Sequence, residues 1–439
     1  GGGQAAVAAG GAVSLGDIAL GSLTLTAGGT IGEAAVGTTS IVGAASFATS
    51  GETVVLQRAG GSIGGAISVD TTSGGAAPAA VTLSLAGDLT LGDVEASSLV
   101  ATAGGAVVQG ASGVLDVQTL DLSAGGAASL LGSGNVFGGE IDVSAAQLTL
   151  VAASGLLLDD VATDALTLTA GGAVTQTAGG SVSATGDVAI ATSGDAVTLT
   201  NAGNVWGGEI GVVTTDAGAS AADVTLDLGA ASLTRGETVA DQLLVTALGG
   251  ATQTGAVVAA RTQDVTGGGA VDLSGAGNAL GTVDVDTTSG GAFAADVALA
   301  SDGDLELGAI TAATLSAASG GALSQTAGGV LDVTGAASFA TEGGAVDLSN
   351  DNLFAGAVTV DTAVGGAGPA AVSLGDADAL TFGAISASEL TATAGGAVGQ
   401  AAVGALDVTG DVRVETAGGS VVLDRAANAL GGVISVDTT

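Results

Sequence analysis

One interval constrains this chain more than any other property. The frame Gly-Asn-x-x-Gly-Gly reads GNVFGG at 134–139, GNVWGG at 203–208, GNALGT at 277–282, DNLFAG at 351–356 and ANALGG at 427–432. Its asparagines are Asn135, Asn204, Asn278, Asn352 and Asn428. Gly61, in RAGGSIGG, takes the same place in an earlier copy, so the steps are 74, 69, 74, 74 and 76 residues. A second marker keeps the same spacing: LTLTAGG at 23–29 and 166–172, LVATAGG at 99–105 and LTATAGG at 390–396, with looser copies at 245–250 and 315–321. Self-similarity of this length marks an array of stacked supersecondary units. A catalytic glycine loop occurs once, whereas a motif that returns five times reads as architecture.

Within each super-repeat the pattern divides into three passes, which in the third copy start near Leu166, Val188 and Ile210. Short strands such as Leu166-Thr-Leu-Thr alternate aliphatic with Thr or Ser, and no segment shows a sustained helical period. Passes of about 22 residues with small-residue corners suit the coils of a parallel β-helix. Six super-repeats of about 74 residues then predict about 18 coils, all-β, and a rod on the order of 85 Å long at ~4.8 Å per coil. The third pass is longer because it carries an insertion: DTTSGGAAPAAV at 70–81, DTTSGGAFAADV at 286–297 and DTAVGGAGPAAV at 361–372. Pro78 and Pro369 lie in it, and proline cannot donate to a ladder, so the insertions should leave the stack as loops, stacked on one side. Composition does not shift along the chain, so residues 1–439 read as one continuous solenoid without internal boundary, a segment of a longer repetitive protein.

Composition narrows the function classes. With 47% apolar residues the chain is too aliphatic for disorder, and its 80 glycines do not fall at every third position, which excludes collagen. The formal charge is −38, with five basic residues, Arg58, Arg235, Arg261, Arg413 and Arg425. Nucleic acid and anionic bilayers would be repelled. No apolar stretch is long enough for a transmembrane helix, and 2% aromatics cannot supply the girdles of an outer-membrane barrel, so no membrane insertion is expected. There is no Cys, His or Lys. Thiol chemistry is therefore absent, and the basic residue that polysaccharide lyases use is scarce. Hydrolysis by paired carboxylates stays open in principle, but no catalytic residue is assigned.

The recurring residues receive structural roles. Asn tolerates the left-handed backbone of a sharp corner, so replacing Asn204 or Asn278 by Val should strain the coil and replacing it by Gly should be mild. Two residues later stands a large apolar side chain, Phe137, Trp206, Leu280, Phe354 or Leu430, with Ile63 in the Gly61 copy; Phe137, Trp206 and Phe354 are read as core fillers. No cofactor is expected. The one metal candidate is calcium at Asp302, Asp304 and Glu306 in SDGDLELG, with Asp376 and Asp378 in the next copy; a solvated turn is the alternative. The recurring Asp70, Asp286, Asp361 and Asp437 would lie ~14 Å apart along the axis, too far to share an ion.

Passes such as GGAVVQ at 104–109, GGAVTQ at 171–176, GGALSQ at 320–325 and GGAVGQ at 395–400, together with the Gly-Asn frames, resemble the repetitive shaft of filamentous-haemagglutinin-type exoproteins of two-partner secretion. The resemblance covers nearly the whole chain. It implies a right-handed β-helix, export through an outer-membrane pore and a place outside the cell or on the surface of a Gram-negative bacterium. The expected function is a non-catalytic shaft of a secreted adhesin or fibre. Its expected partners are further repeats of the same polypeptide, other copies in a fibre or coat, and a host or neighbouring-cell surface. One alternative has the inserted loops bind a receptor or glycan; a lesser one is a polysaccharide-acting β-helix enzyme.

Overall fold

The computed structural model describes residues 2–57, 60–229 and 231–439, so Arg58 lies outside the described residues. The chain is an all-β parallel β-solenoid of about 20 turns with almost no helix. Among the described residues the helical elements are three single 3-10 turns, Asp216–Gly218, Ser289–Gly291 and Val364–Gly366, each in an inserted loop. No helix is long and apolar enough to cross a membrane. Pro78 and Pro369 lie in loops, outside the strands.

The alternation translates directly into coils. In the strand Ser22–Ala27 the side chains of Leu23, Leu25 and Ala27 are buried while Thr24 and Thr26 face out. Leu23 pairs in parallel with Ala45, and Ala45 with Ile67, a coil of 22 residues each time. Fully buried aliphatic side chains of this kind each contribute roughly 1.5–3 kcal/mol. The glycines of LTLTAGG have a steric cause, because a Cβ on Gly28 would sit 2.6 Å from the carbonyl oxygen of Gly10 in the adjacent coil.

The chain divides into two compact units, Gly1–Gly208 with Val213–Ala222, and Glu209–Val212 with Asp223–Thr439. In the second, the super-repeat opened by Leu243 contains ten strand segments, beginning at Leu243, Ala251, Val257, Thr262, Val271, Ala279, Val283, Val297, Leu305 and Ile310, before the next opens at Leu315. A coil has three faces, so ten segments make three coils and one face more. Leu315 therefore stacks on Val297, in the column Ala251–Val271–Val297, and not in the column Leu243–Thr262–Val283. One super-repeat later Leu390 stacks on Val372, again one face further round. The first unit repeats the rule, with Leu99 on Val81 and Leu166 on Leu148.

Two expectations are corrected by this. A super-repeat is three and one-third coils rather than three, which is why about 20 turns replace 18. The inserted loops also do not stack on one side. In the second unit, the loop after Asp286 enters the column that holds Val297, Leu315, Ala337 and Val358, whereas the loop after Asp361 leaves that same column. The two loops therefore stand at different corners, a third of a turn apart.

Candidate functional site

The repeated Gly-Asn frame and the repeated Gln of GGAVVQ form one site. Gln109 Nε2 donates to Asn135 Oδ1 at 2.6 Å and Asn135 Nδ2 donates back to Gln109 Oε1 at 2.9 Å. The same reciprocal pair joins Gln176 to Asn204, Gln253 to Asn278, Gln325 to Asn352 and Gln400 to Asn428. Asn135, Asn278 and Asn352 are fully buried, Asn204 is nearly so and Asn428 is half-buried. Each Asn Oδ1 also accepts a main-chain N–H, from Leu115, Val182, Val257, Leu331 or Leu406, at 2.8–3.0 Å. The side-chain carbonyl thus takes a rung of the ladder. This frees the main-chain carbonyls of Asn135, Asn278 and Asn352 to accept Ala153, Asp302 and Ala377 at 2.8 Å.

Asparagine is therefore used for its amide. The left-handed backbone beside the motif belongs to a glycine, as at Gly277 with φ 83°, while Asn352 lies inside the strand Val346–Phe354. In the earliest copy both partners change together, Gly61 in the Asn place and Glu33 in the Gln place, where Glu33 Oε2 accepts the N–H of Gln57 at 2.8 Å. That paired change was the available sequence signal. Phe137, Trp206 and Phe354 are 5, 6 and 3% exposed. Phe354 meets the ring of Phe339 edge-on at 6.1 Å.

The acidic residues serve backbone N–H groups and neighbouring hydroxyls. Asp304 Oδ1 accepts the N–H of Ala322 at 2.7 Å, and Glu306 Oε2 accepts the hydroxyl of Thr282 at 2.7 Å. Asp302 is exposed. Among the described residues no three acidic side chains converge as a metal site would require. Asp376 is buried and accepts the N–H groups of Phe354 and Asp378, and burial raises its pKa against the lowering effect of those bonds. Asp142 is likewise raised, first by burial and then by Asp159, Asp121 and Asp160.

The loops after Asp70, Asp286 and Asp361 each open with that acid and a threonine. Asp70, Asp286 and Asp437 accept from the residue two positions on through both its N–H and its hydroxyl, and Asp361 from the N–H of Ala363. The threonines that follow were missed in the sequence. Thr71, Thr287 and Thr362 are fully buried. Their hydroxyls donate to the carbonyls of Glu95, Thr311 and Ser386 on the next coil and accept the N–H of Ala79, Ala295 and Ala370 where the loop returns. Phe293, at the tip of the loop after Asp286, is 95% exposed.

Five stretches, residues 2–70, 78–144, 145–213, 294–361 and 369–437, match one family, described as repeats of unknown function (DUF5649). The chain belongs to that family. No curated protein and no solved structure matches it. The DUF5649 units end at Asp70 and Asp361, where the loops leave, so the loops are insertions between units. The matches also pass over residues 214–293. There the second unit buries Arg235 against Asp264, another feature missed in the sequence.

Proposed function

We propose that this chain is a non-catalytic spacer, a β-solenoid segment in the shaft of a secreted bacterial adhesin or extracellular fibre. The observation that carries this reading is the use of the recurring polar side chains. The five Gln–Asn pairs and the loop threonines are spent between coils, with their hydrogen-bonding groups turned to the backbone. The shaft type and a place on a Gram-negative surface rest on the resemblance of the repeats, and the reading requires neither metal nor cofactor. The partners that fit are coils of the same kind.

A second reading, recognition of a receptor or glycan by the corner loops, is favoured by one observation, the fully exposed ring of Phe293. Trimming Gly74–Pro78, Gly290–Ala294 and Gly365–Pro369 on the displayed protein separates the two. The spacer reading expects export and adhesion to be unchanged. Adhesion lost with export and fold intact would assign the function to the loops.

A further inference from the structure

Residues 233–264 hold a charged pair inside the solenoid. Arg235 Nη2 donates to Asp264 Oδ1, and the two side chains are 2 and 1% exposed. The other ion pairs among the described residues, Arg261–Asp284 and Arg413–Glu415, have their arginines in solvent. Arg235 stands where the equivalent strands carry Leu91, Leu158, Leu307 and Phe382, and Asp264 where they carry Phe47, Ile190, Phe339 and Val414, all buried. Both departures fall in the stretch that the family pattern passes over.

For stability alone the pair is a poor choice. Nε and Nη1 of Arg235, Oδ2 of Asp264 and Oγ1 of Thr262 are buried without a partner, and burial lowers the guanidinium pKa to about 9. Apolar replacement of a buried ion pair is often neutral or stabilising, whereas separating its members strands a charge. Separation is the hazard that a repetitive solenoid faces. GAASFAT occurs unchanged at 43–49 and 335–341, and LTLTAGG at 23–29 and 166–172. The strand at Leu243 pairs with Thr262, but Ala337 presents an equivalent strand one super-repeat on. The Gln–Asn pair is common to five copies and cannot tell them apart. A slip of one super-repeat does separate Arg235 from Asp264.

We propose that the buried Arg235–Asp264 pair fixes the register of the coils during folding, by making a one-super-repeat slip strand two charges in the core. The chain has no cysteine of its own, so register can be read by introduced ones. Leu244 and Gln263 are outward-facing register partners. Neighbouring parallel strands place such partners ~4.8 Å apart, within reach of a disulfide. Leu244→Cys with Gln263→Cys reports the native register, and Leu244→Cys with Ser338→Cys the slipped one. After denaturation, refolding and oxidation, the parent should form only the 244–263 link. In the background of Arg235→Leu with Asp264→Phe, the 244–338 link should rise by at least about tenfold while the β-sheet signal and melting temperature are kept. A slipped link as rare as in the parent would overturn the proposal. So would loss of the β-sheet signal in the apolar variant, because the pair would then be needed for the fold itself.

Discussion

Residues 214–293 and residues 294–369 make the same coils from different interiors. In the first stretch the core positions include Arg235, Thr238, Thr262 and Asp264; in the second the equivalents are Leu307, Ile310, Ala337 and Phe339. Yet Leu243 pairs with Thr262 as Leu315 pairs with Ala337, and each stretch keeps its amide pair, Gln253–Asn278 or Gln325–Asn352, and its loop threonine, Thr287 or Thr362. The coil path is therefore set by the elements the two share: the amide rung, the threonine bridge, the glycine corners and the period of two. What fills the interior sets how firmly that path is held.

The comparison breaks first at the charged pair. Arg235→Leu alone leaves the Asp264 carboxylate without its partner and should destabilise its coils by about 3–5 kcal/mol. Phe339→Ala, which opens a cavity in the second stretch, should cost a similar ~3–5 kcal/mol. The two part company on compensation. Adding Asp264→Phe should restore the first stretch, while no single neighbour restores the second. Hydrogen exchange resolved along the chain reads each stretch separately, which a single melting curve of a repeat array does not. An Arg235→Leu variant as protected as the parent would mean that water already reaches the pair.

A smaller and equal effect is expected at the shared elements. Asn278→Gly and Asn352→Gly each take the amide partner from a half-buried glutamine and orphan a buried ladder N–H, of Val257 or Leu331, at a cost of about 2–4 kcal/mol. Asn→Val at the same sites should cost as much, because the loss is of hydrogen bonds and not of backbone freedom. A mild Gly variant beside a harsh Val variant would return the left-handed corner to the argument. Thr287→Val and Thr362→Val keep the shape but remove the bridge between loop and next coil, for about 1–3 kcal/mol each. Exchange at Ala295 and Ala370, whose N–H groups the hydroxyls accept, should quicken first.

Part of this was legible in the sequence. The period of two at strands such as Leu166–Thr–Leu–Thr and the spacing of the asparagines are enough for a stack of coils, because both follow from side chains that alternate between core and solvent. The extra third of a coil is hidden. Coils run from 18 residues, as from Val81 to Leu99, to 27, as from Val54 to Val81, so counting residues divides a super-repeat into about three. Only the pairing shows ten strand segments. The amide pair escaped for a related reason. Its members lie 25–28 residues apart, in motifs that each have a sufficient local explanation, and an Asn beside glycines suits a turn as well as it suits a rung.

The smallest expected effect is one of pH, and it turns on a single difference between equivalent positions. The N–H of Leu280 donates to the hydroxyl of Ser301 at 3.2 Å in one stretch, and the N–H of Phe354 donates to the carboxylate of Asp376 at 3.0 Å in the next. Ser301 does not titrate. Asp376 does, and burial holds its folded pKa above the ordinary carboxylate value, outweighing the two N–H groups that favour its charge. A raised pKa means that the folded state binds the proton more tightly than the unfolded chain does. Between the ordinary value and the raised one, stability must therefore fall as pH rises, and be regained as pH falls back through the folded pKa. After correction for intrinsic exchange rates, protection of the coils around Phe354 should grow modestly on acidification across that window, while protection around Leu280 stays level. Asp376→Ser should remove the difference. Protection at Phe354 that weakens with acid would show the two N–H bonds outweighing burial, with the sign reversed.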